Sequence, residues 1–441
     1  QFIENKIQDM QALQLIITLA LLVFIHELGH FTFAKLSKTR VDKFYLFFDP
    51  WFSLFKFKKG ETEYGIGWLP LGGYCKIAGM VDESIDKEQL HSEPKPWEYR
   101  SKPWIQRFMI IIGGVLFNFI GAILIYSALS FTYGKTYLPL QNLQYGVYCD
   151  STALSIGFEN GDKILSIDGK QPKTLGDAIS QILLDNAQTV TVERGGKEVT
   201  ITLPDDIENR IVANPNSFFM IENIPFVIDS IMPNTPASRS NLRVGDKIVA
   251  IDSIPTVSFM DFVKEVKPFA GKEVVLTVVR HGFDEKIPVT VSEEGKIGAY
   301  TKSAYDLFDE VTETYSLLQS VPEGIKMGLG TLTFYVKQFK LIFTKEGSQQ
   351  VGSFVSMGKM YDKEWNWSHF WSLAALFSVI LAFMNILPIP GLDGGHLLFL
   401  LVELVIRRKP SEKILMKAQM IGMAIIFAIF FYALFLDFGR L

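Results

Sequence analysis

Long apolar runs are the dominant feature of this chain. A helix that crosses a bilayer needs about 20 predominantly apolar residues. Four stretches approach that length: residues 12–33, 104–131, 370–389 and 414–435. A fifth apolar stretch, residues 324–343, carries three lysines, so we expect it to lie at the membrane interface or pack against the bundle rather than span. The pattern predicts an α-helical polytopic membrane protein with about four transmembrane helices.

The segment between the second and third apolar runs changes to short β-rich runs with Gly and Asp turns. Residues 161–168 and 245–252 share the pattern Gly-Asp-Lys-Ile-x-x-Ile-Asp. The spacing from position 161 to position 245 is 84 residues, which suits a small domain rather than a solenoid repeat. A helical pattern and two strand patterns follow each copy. We therefore predict two small β-rich domains, residues 141–204 and 212–292, inserted between the second and third spans.

The loop after the first apolar run has a third pattern. Residues 56–80 alternate as in a strand and are dense in glycine, but Ile66, Trp68 and Leu71 are too apolar for a solvated turn. We expect a membrane-associated β-hairpin, because irregular backbone is tolerated at membrane depth only against protein or a wet cavity. The other predicted regions are a first helix 1–36, a loop 37–103, a second helix 104–133, an interfacial helical region 300–368, and helices 369–406 and 412–438.

Charge adds orientation to this picture. Lys and Arg cluster after the first apolar run, before the second, and between the third and fourth. By the positive-inside rule these loops are cytoplasmic, and the inserted domains and both termini lie outside. The formal net charge of −4 gives no case for nucleic-acid binding, and two cysteines, Cys75 and Cys149, are too few for a disulfide framework.

Candidate chemistry begins in the first apolar run, at His26-Glu27-Leu28-Gly29-His30. Residues four apart share a helix face, so His26 and His30 can reach one metal ion. Glu27 lies where a general base that takes a proton from water is expected. Chance also produces such five-residue patterns. Ionisable residues inside a membrane-grade helix are costly, however, and this favours a functional metal site.

A catalytic zinc site typically has three protein ligands, and the third candidate is Asp393. It follows Pro388, Pro390 and Gly391, which break the helix and let the backbone bend toward a neighbour. The alternative is that Asp393 only caps a helix. Beside two histidines that lack a third ligand, the ligand interpretation is favoured. His396 is a weaker competitor that we expect to face solvent or to lie outside the ligand set.

These motifs together resemble the site-2 protease family of intramembrane zinc metalloproteases, and within it the bacterial regulator-of-sigma-E type with two PDZ domains. The first-span motif is residues 26–30, and residues 385–394 fit the pattern Asn-x-x-Pro-x-Pro-x-Leu-Asp-Gly. Residues 113–118 resemble the second-span motif, with Gly-Gly where the family usually has Gly-Pro. Residues 68–80 resemble the family's membrane-associated hairpin.

The resemblance implies roles for individual residues. His26, His30 and Asp393 would bind Zn²⁺, and Glu27 would activate the water. Asn118 and Asn385 would hold the substrate backbone in extended form. Without the resemblance, a lone Asn in a span is more often a residue that hydrogen-bonds to a neighbouring helix. The hairpin around Gly72 and Gly73 would add a strand to the substrate.

The resemblance also implies partners and a location. Substrates would be single-pass membrane proteins such as anti-sigma factors, or signal-peptide remnants, cut within the bilayer of the bacterial inner membrane as the second cut of regulated intramembrane proteolysis. The PDZ-like domains would lie outside the cytoplasm and exclude bulky substrates, or else capture a peptide terminus. The competing class is a membrane-anchored PDZ scaffold or quality-control adaptor with a non-catalytic metal site. A metal transporter is a weaker third option.

Overall fold

The computed structural model describes residues 2–80, 93–185, 187–212, 217–339, 353–408 and 411–439. Its helices are α1 (Phe2–Leu36), α2 (Trp104–Tyr133), α3 (Ser151–Ile156), α4 (Leu175–Leu184), α5 (Ile207–Val212), α6 (Pro236–Arg239), α7 (Phe259–Val266), α8 (Ala304–Leu307), α9 (Leu317–Phe339), α10 (Phe354–Lys359), α11 (Trp367–Ile386), α12 (Asp393–Ile406) and α13 (Glu412–Gly439). Short 3₁₀ turns lie at Tyr99–Ser101, Leu140–Asn142 and Lys267–Phe269.

The strands are β1 (Val41–Lys59), β2 (Thr62–Ile77), β3 (Lys135–Tyr137), β4 (Val147–Cys149), β5 (Lys163–Ile167), β6 (Thr189–Arg194), β7 (Lys197–Thr202), β8 (Met220–Glu222), β9 (Phe226–Ile231), β10 (Lys247–Ile251), β11 (Ile254–Pro255), β12 (Glu273–Arg280), β13 (Phe283–Thr290), β14 (Ala299–Thr301) and β15 (Val311–Glu313). The chain divides into a helical unit, Gln1–Gly134 with Thr314–Leu441, and a β-rich unit, Lys135–Glu313.

Four helices among the described residues are long and apolar enough to cross a membrane, as the apolar pattern predicted. They are Met10–Leu36 of α1, α2, α11 and Lys413–Leu436 of α13. Glycines bring α1 and α2 together: a Cβ added to Gly29 would lie 2.2 Å from the carbonyl oxygen of Gly113. Such backbone-to-backbone contact between membrane helices requires small residues.

The fifth apolar stretch forms most of α9, which packs along α2 and is not among the described helices that are long and apolar enough to cross a membrane. A Cβ on Gly324 would lie 2.1 Å from Ser127 Oγ, and one on Gly328 would lie 3.1 Å from Ile123 Cγ1. The two glycines, four residues apart, therefore form the contact face of α9. Residues 340–343 of the predicted stretch, and Lys409 of the predicted cytoplasmic cluster, lie outside the described residues.

The predicted third helix, 369–406, is two helices in the structure. Helix α11 ends at Ile386 and α12 begins at Asp393. Proline removes a backbone N–H donor and clashes with the preceding turn, and Gly391 has a φ of +103° that other residues rarely adopt. The break places Asp393 in the first turn of α12.

The loop after α1 forms a larger sheet than the predicted hairpin, because pairing begins at Val41 instead of near residue 56. Strands β1 and β2 each bend and pair twice. Residues 41–46 pair with 73–77 on one side and with 63–66 on the other, while 53–59 pair with 62–67. Among the described residues, 73–77 therefore form one edge of this sheet.

The β-rich unit contains two separate hydrophobic cores, one for each sequence repeat. The first repeat contributes the sheet β5-β6-β7 and the pair β4-β8, and the second contributes the sheet β13-β12-β10-β9-β14. The helices predicted after each repeat are α4 and α7. The two chain ends of this unit are joined by the pair β3-β15.

The Asp residues of the shared sequence pattern make the same contacts in both repeats. Asp162 accepts two hydrogen bonds from Arg194, at 2.8 and 2.7 Å, and Asp246 accepts two from Arg280, both at 2.7 Å. The last Asp of each pattern also accepts from the backbone of the next strand: Asp168 from Thr189 N–H and its equivalent in the second repeat from Val275 N–H. The repeated carboxylates thus hold the turns of each domain.

Candidate metal centre

The three predicted metal ligands meet at one point in the helical unit. The distance between His26 Nε2 and His30 Nε2 is 3.2 Å. Asp393 Oδ2 lies 3.1 Å from His26 Nε2 and 3.2 Å from His30 Nε2. Among the described residues, no other group of three or more His, Cys, Asp or Glu side chains converges in this way. The bend before α12 brings the carboxylate to the histidine face of α1.

These distances fit zinc. Zinc binds His nitrogen and carboxylate oxygen at about 2.0–2.1 Å, so ligand atoms at the corners of a tetrahedron are roughly 3.3 Å apart. Asp393 Oδ2 is buried and has no hydrogen-bond partner of acceptable geometry. A buried carboxylate oxygen without a partner is costly, and a cation held by all three atoms removes that cost.

His30 is oriented by the neighbouring helix α2. Its Nδ1–H donates to the carbonyl oxygen of Ile110 at 2.8 Å, so in the neutral imidazole Nε2 carries no proton and is directed at His26 and Asp393. Gly114 lies directly beneath the imidazole rings: a Cβ there would be 2.4 Å from His30 Nε2 and 2.6 Å from His26 Cε1. Gly114, the second glycine of the Gly-Gly pair, is therefore where the two rings pack on α2, whereas Gly113 contacts Gly29.

Glu27 lines a cavity of about 520 Å³ next to the two histidines. The edge segment of the sheet borders the same cavity, which is lined by residues 73–77. The backbone N–H of Cys75 donates to the Glu27 carboxylate. A carboxylate, a convergent ligand set and a strand edge thus share one cavity.

The other predicted site residues fall into two groups. Asn385 and Gly73 line the cavity, as does His396. Gly72 and Asn118 are not among the cavity-lining residues. The side chain of Asn118 is fully buried, and its Nδ2 lies 3.2 Å from His26 Nδ1.

Sequence reasoning missed the carbonyl of Ile110, the backbone of Cys75, and Lys43 and Gln419, which also line the cavity. A backbone group carries no sequence signal of its own. Gly114 was noted only through its motif, and its contact with both imidazoles depends on how α1 and α2 cross.

Two histidines and a carboxylate that converge beside a glutamate, within a bundle of helices apolar enough to cross a membrane, are typical of a membrane metallopeptidase. Residues 14–429 match the sequence model of peptidase family M50, and the chain belongs to that family.

Similar proteins cover nearly its whole length. The regulator of sigma E protease of Haemophilus influenzae is 30% identical over 97% of this chain and 98% of its own. The regulator of sigma-E protease RseP of Escherichia coli K12 is 28% identical over 97% and 98%. A Treponema pallidum protein whose name contains the words zinc metalloprotease is 28% identical over 96% and 97%. The chain is a zinc metalloprotease with several membrane-grade helices.

Proposed function

We propose that this chain is an intramembrane zinc endopeptidase that cuts the transmembrane segments of membrane-anchored proteins. The observation that carries the proposal is the convergence of His26 Nε2, His30 Nε2 and Asp393 Oδ2 next to Glu27, at a cavity among apolar helices. A structural zinc site is closed by four ligands and needs no carboxylate base. Three ligands beside a glutamate therefore favour an enzyme over a membrane-anchored scaffold.

In this proposal His26, His30 and Asp393 hold the zinc. Bound there, zinc would polarise the carbonyl of the scissile peptide and lower the pKa of a water molecule. The Glu27 carboxylate accepts the proton of that water and later passes it to the departing amine. The N–H of Cys75 holds the carboxylate at the cavity wall, so the base is oriented before substrate arrives.

A substrate helix has to unwind before it is cut, because its own hydrogen bonds shield its peptide bonds. The edge formed by residues 73–77 runs along the cavity and gives an unwound segment a strand to pair with. Gly73 lets this edge pack closely, since a Cβ there would lie 2.7 Å from the Tyr45 carbonyl oxygen and 2.9 Å from Val23 Cγ1. Gly72 precedes it with a φ of +154°. Asn385, at the end of α11, is the cavity-lining amide we assign to the substrate backbone.

The relatives named as regulators of sigma E support substrates of the anti-sigma-factor type, cut as the second step of regulated intramembrane proteolysis. The clusters of Lys and Arg support an inner-membrane orientation with the site toward the cytoplasm and the β-rich unit outside.

We further propose that the two PDZ-like domains exclude substrates with a bulky external part. The β-rich unit follows α2, which ends at Tyr133, and precedes α9 in the chain. Its first and last strands, β3 and β15, pair with each other, and Thr136 Oγ1 lies 2.8 Å from Thr312 Oγ1. Both ends of the unit therefore continue into helices, and this double connection supports the proposed size filter.

The test uses purified protein in bilayers and one membrane substrate in two forms, with and without a folded external domain. Wild-type protein is expected to cut only the trimmed form, at a bond inside the transmembrane segment located by mass spectrometry. A variant in which a flexible linker replaces residues 138–310, keeping β3 and β15, is expected to cut both forms. Cleavage confined to the external part contradicts the intramembrane assignment. Loss of cleavage of the trimmed form with zinc retained would make the domains recruiters instead.

A further inference from the structure

Asn118 is a buried polar residue that does not line the cavity. Its side chain is fully buried and its backbone carbonyl accepts a hydrogen bond of 2.8 Å from Ser378 Oγ of α11. Its Nδ2 lies 3.2 Å from His26 Nδ1, while its Oδ1 is buried and has no hydrogen-bond partner among the described residues. The amide nitrogen therefore lies beside a proposed metal ligand, whereas the amide oxygen has no hydrogen-bond partner among the described residues.

The proton on His26 shows why this arrangement is informative. A neutral imidazole that holds a metal through Nε2 carries its proton on Nδ1, and that N–H needs an acceptor. The Nδ2 group of an asparagine offers only donors. With zinc on Nε2, the donors of Asn118 and His26 would face each other across 3.2 Å.

A half-turn of the Asn118 amide removes this conflict, because the amide nitrogen and oxygen exchange nearly equivalent positions. Oδ1 then stands in hydrogen-bond range of His26 Nδ1–H and gains a partner, while Nδ2 takes the buried position that Oδ1 had occupied. His30 already has the corresponding arrangement, in which its Nδ1–H donates to the Ile110 carbonyl at 2.8 Å. Both histidines would then be held by α2 through oxygen acceptors.

We propose that Asn118 is a positioning residue that accepts the Nδ1 proton of His26 and so presents Nε2 to the metal. This role replaces the substrate-backbone role expected from the family resemblance, and it accounts for the absence of Asn118 from the cavity lining. The inference rests on the proposed metal site.

The test compares variants that keep or remove the acceptor. Asn118→Asp keeps an oxygen and loses the amide donor, whereas Asn118→Leu has a similar size and no acceptor. Zinc affinity of the purified full chain, measured by competition with a chromophoric chelator, should fall about 10- to 100-fold in Asn118→Leu, the usual cost of losing such a partner. Asn118→Asp should stay close to wild type, and the absorption bands of Co²⁺-loaded protein should shift only in Asn118→Leu.

Ser378→Ala is the matched control. It removes the hydrogen bond to the backbone carbonyl of Asn118 but leaves the side-chain amide intact, so zinc affinity should be unchanged. Asn118→Ala serves as the second acceptor-free variant if Asn118→Leu does not fold. Wild-type zinc affinity in the acceptor-free variants overturns the positioning role alone, as does equal loss in Asn118→Asp and Asn118→Leu. Failure of the wild type itself to bind zinc would instead overturn the metal site on which the proposed function depends.

Discussion

The β-rich unit and the helical unit both bury carboxylates, but they partner them differently. In the β-rich unit Asp246 is 1% exposed and receives two hydrogen bonds from Arg280. In the helical unit Asp393 Oδ2 faces two imidazole nitrogens and has no hydrogen-bond partner of acceptable geometry. Hydrogen bonds within the protein satisfy the first carboxylate, whereas the second has an oxygen without such a partner.

This difference separates structural from functional polar residues without reference to their sequence motifs. The Asp of each repeat is part of a motif as regular as the histidine motif, yet its contacts are complete and hold a turn. The three atoms of the proposed metal site lie close together, yet Asp393 Oδ2 has no hydrogen-bond partner of acceptable geometry. At Asp393 a buried oxygen without a partner lies beside two imidazole nitrogens, and this combination favours a bound cation.

The largest effect is expected from Asp393→Asn, which exchanges a charged ligand for a neutral one. Zinc affinity and proteolysis should fall together, by more than the roughly 100-fold upper cost of losing an outer partner. Metal analysis and cleavage of a trimmed membrane substrate measure both. Asp246→Asn is the control and should retain zinc. Full zinc and full activity in Asp393→Asn would remove this residue from the ligand set.

A smaller loss is expected from Gly114→Ala, because the added Cβ would lie 2.4 Å from His30 Nε2. The rings have to shift, so zinc affinity should fall about tenfold or more, in the range of outer-partner effects. Gly330→Ala is the control, since a Cβ there meets nothing within 4 Å. Equal zinc affinity in both variants would mean that α1 and α2 are not packed as described.

The smallest effect on activity is expected from Asp246→Asn, which acts on the stability of the second domain. Burial raises the pKa of Asp246, but hydrogen bonds from Arg280 and from the backbone of Arg243 outweigh it and hold the pKa below its ordinary value. A lowered pKa stabilises the folded state above the ordinary carboxylate value, about pH 4, and this stabilisation is lost as the pH falls through the lowered pKa.

Hydrogen–deuterium exchange in β10 and β12 should therefore be faster in Asp246→Asn at neutral pH, by roughly tenfold. The difference from wild type should shrink as the pH falls from about 4 through the lowered pKa, because the carboxylate of the unfolded chain is protonated first and the native carboxylate only at lower pH. Cleavage of the trimmed substrate should change little. Unchanged exchange at neutral pH would contradict a structural role for the pair.

Local patterns predicted much of this molecule. Periodicity and span length located the four membrane-grade helices, and the repeat located α4 and α7. His26, His30 and Asp393 were found because a helix face and a cluster of helix breakers are local signals.

The remainder depends on contacts between distant parts of the chain. Residues 41–46 pair with two separate segments, and a period-2 pattern does not say which strand lies beside which. The roles of Ile110 and Cys75 use backbone groups that every residue possesses. The sequence motif identified Asn118, but its contact with His26 depends on how α1 and α2 cross, which the sequence does not show.

The most direct test of the account is zinc content and cleavage measured together on wild type and Glu27→Gln. The glutamine has nearly the same shape but cannot accept the proton of the water, and Glu27 is not one of the three convergent ligands. We predict one zinc per chain in both proteins and cleavage of a transmembrane substrate by the wild type alone, with the variant reduced by at least about 100-fold. Cleavage at the wild-type rate by Glu27→Gln, or a wild type without zinc that still cuts, would contradict the account.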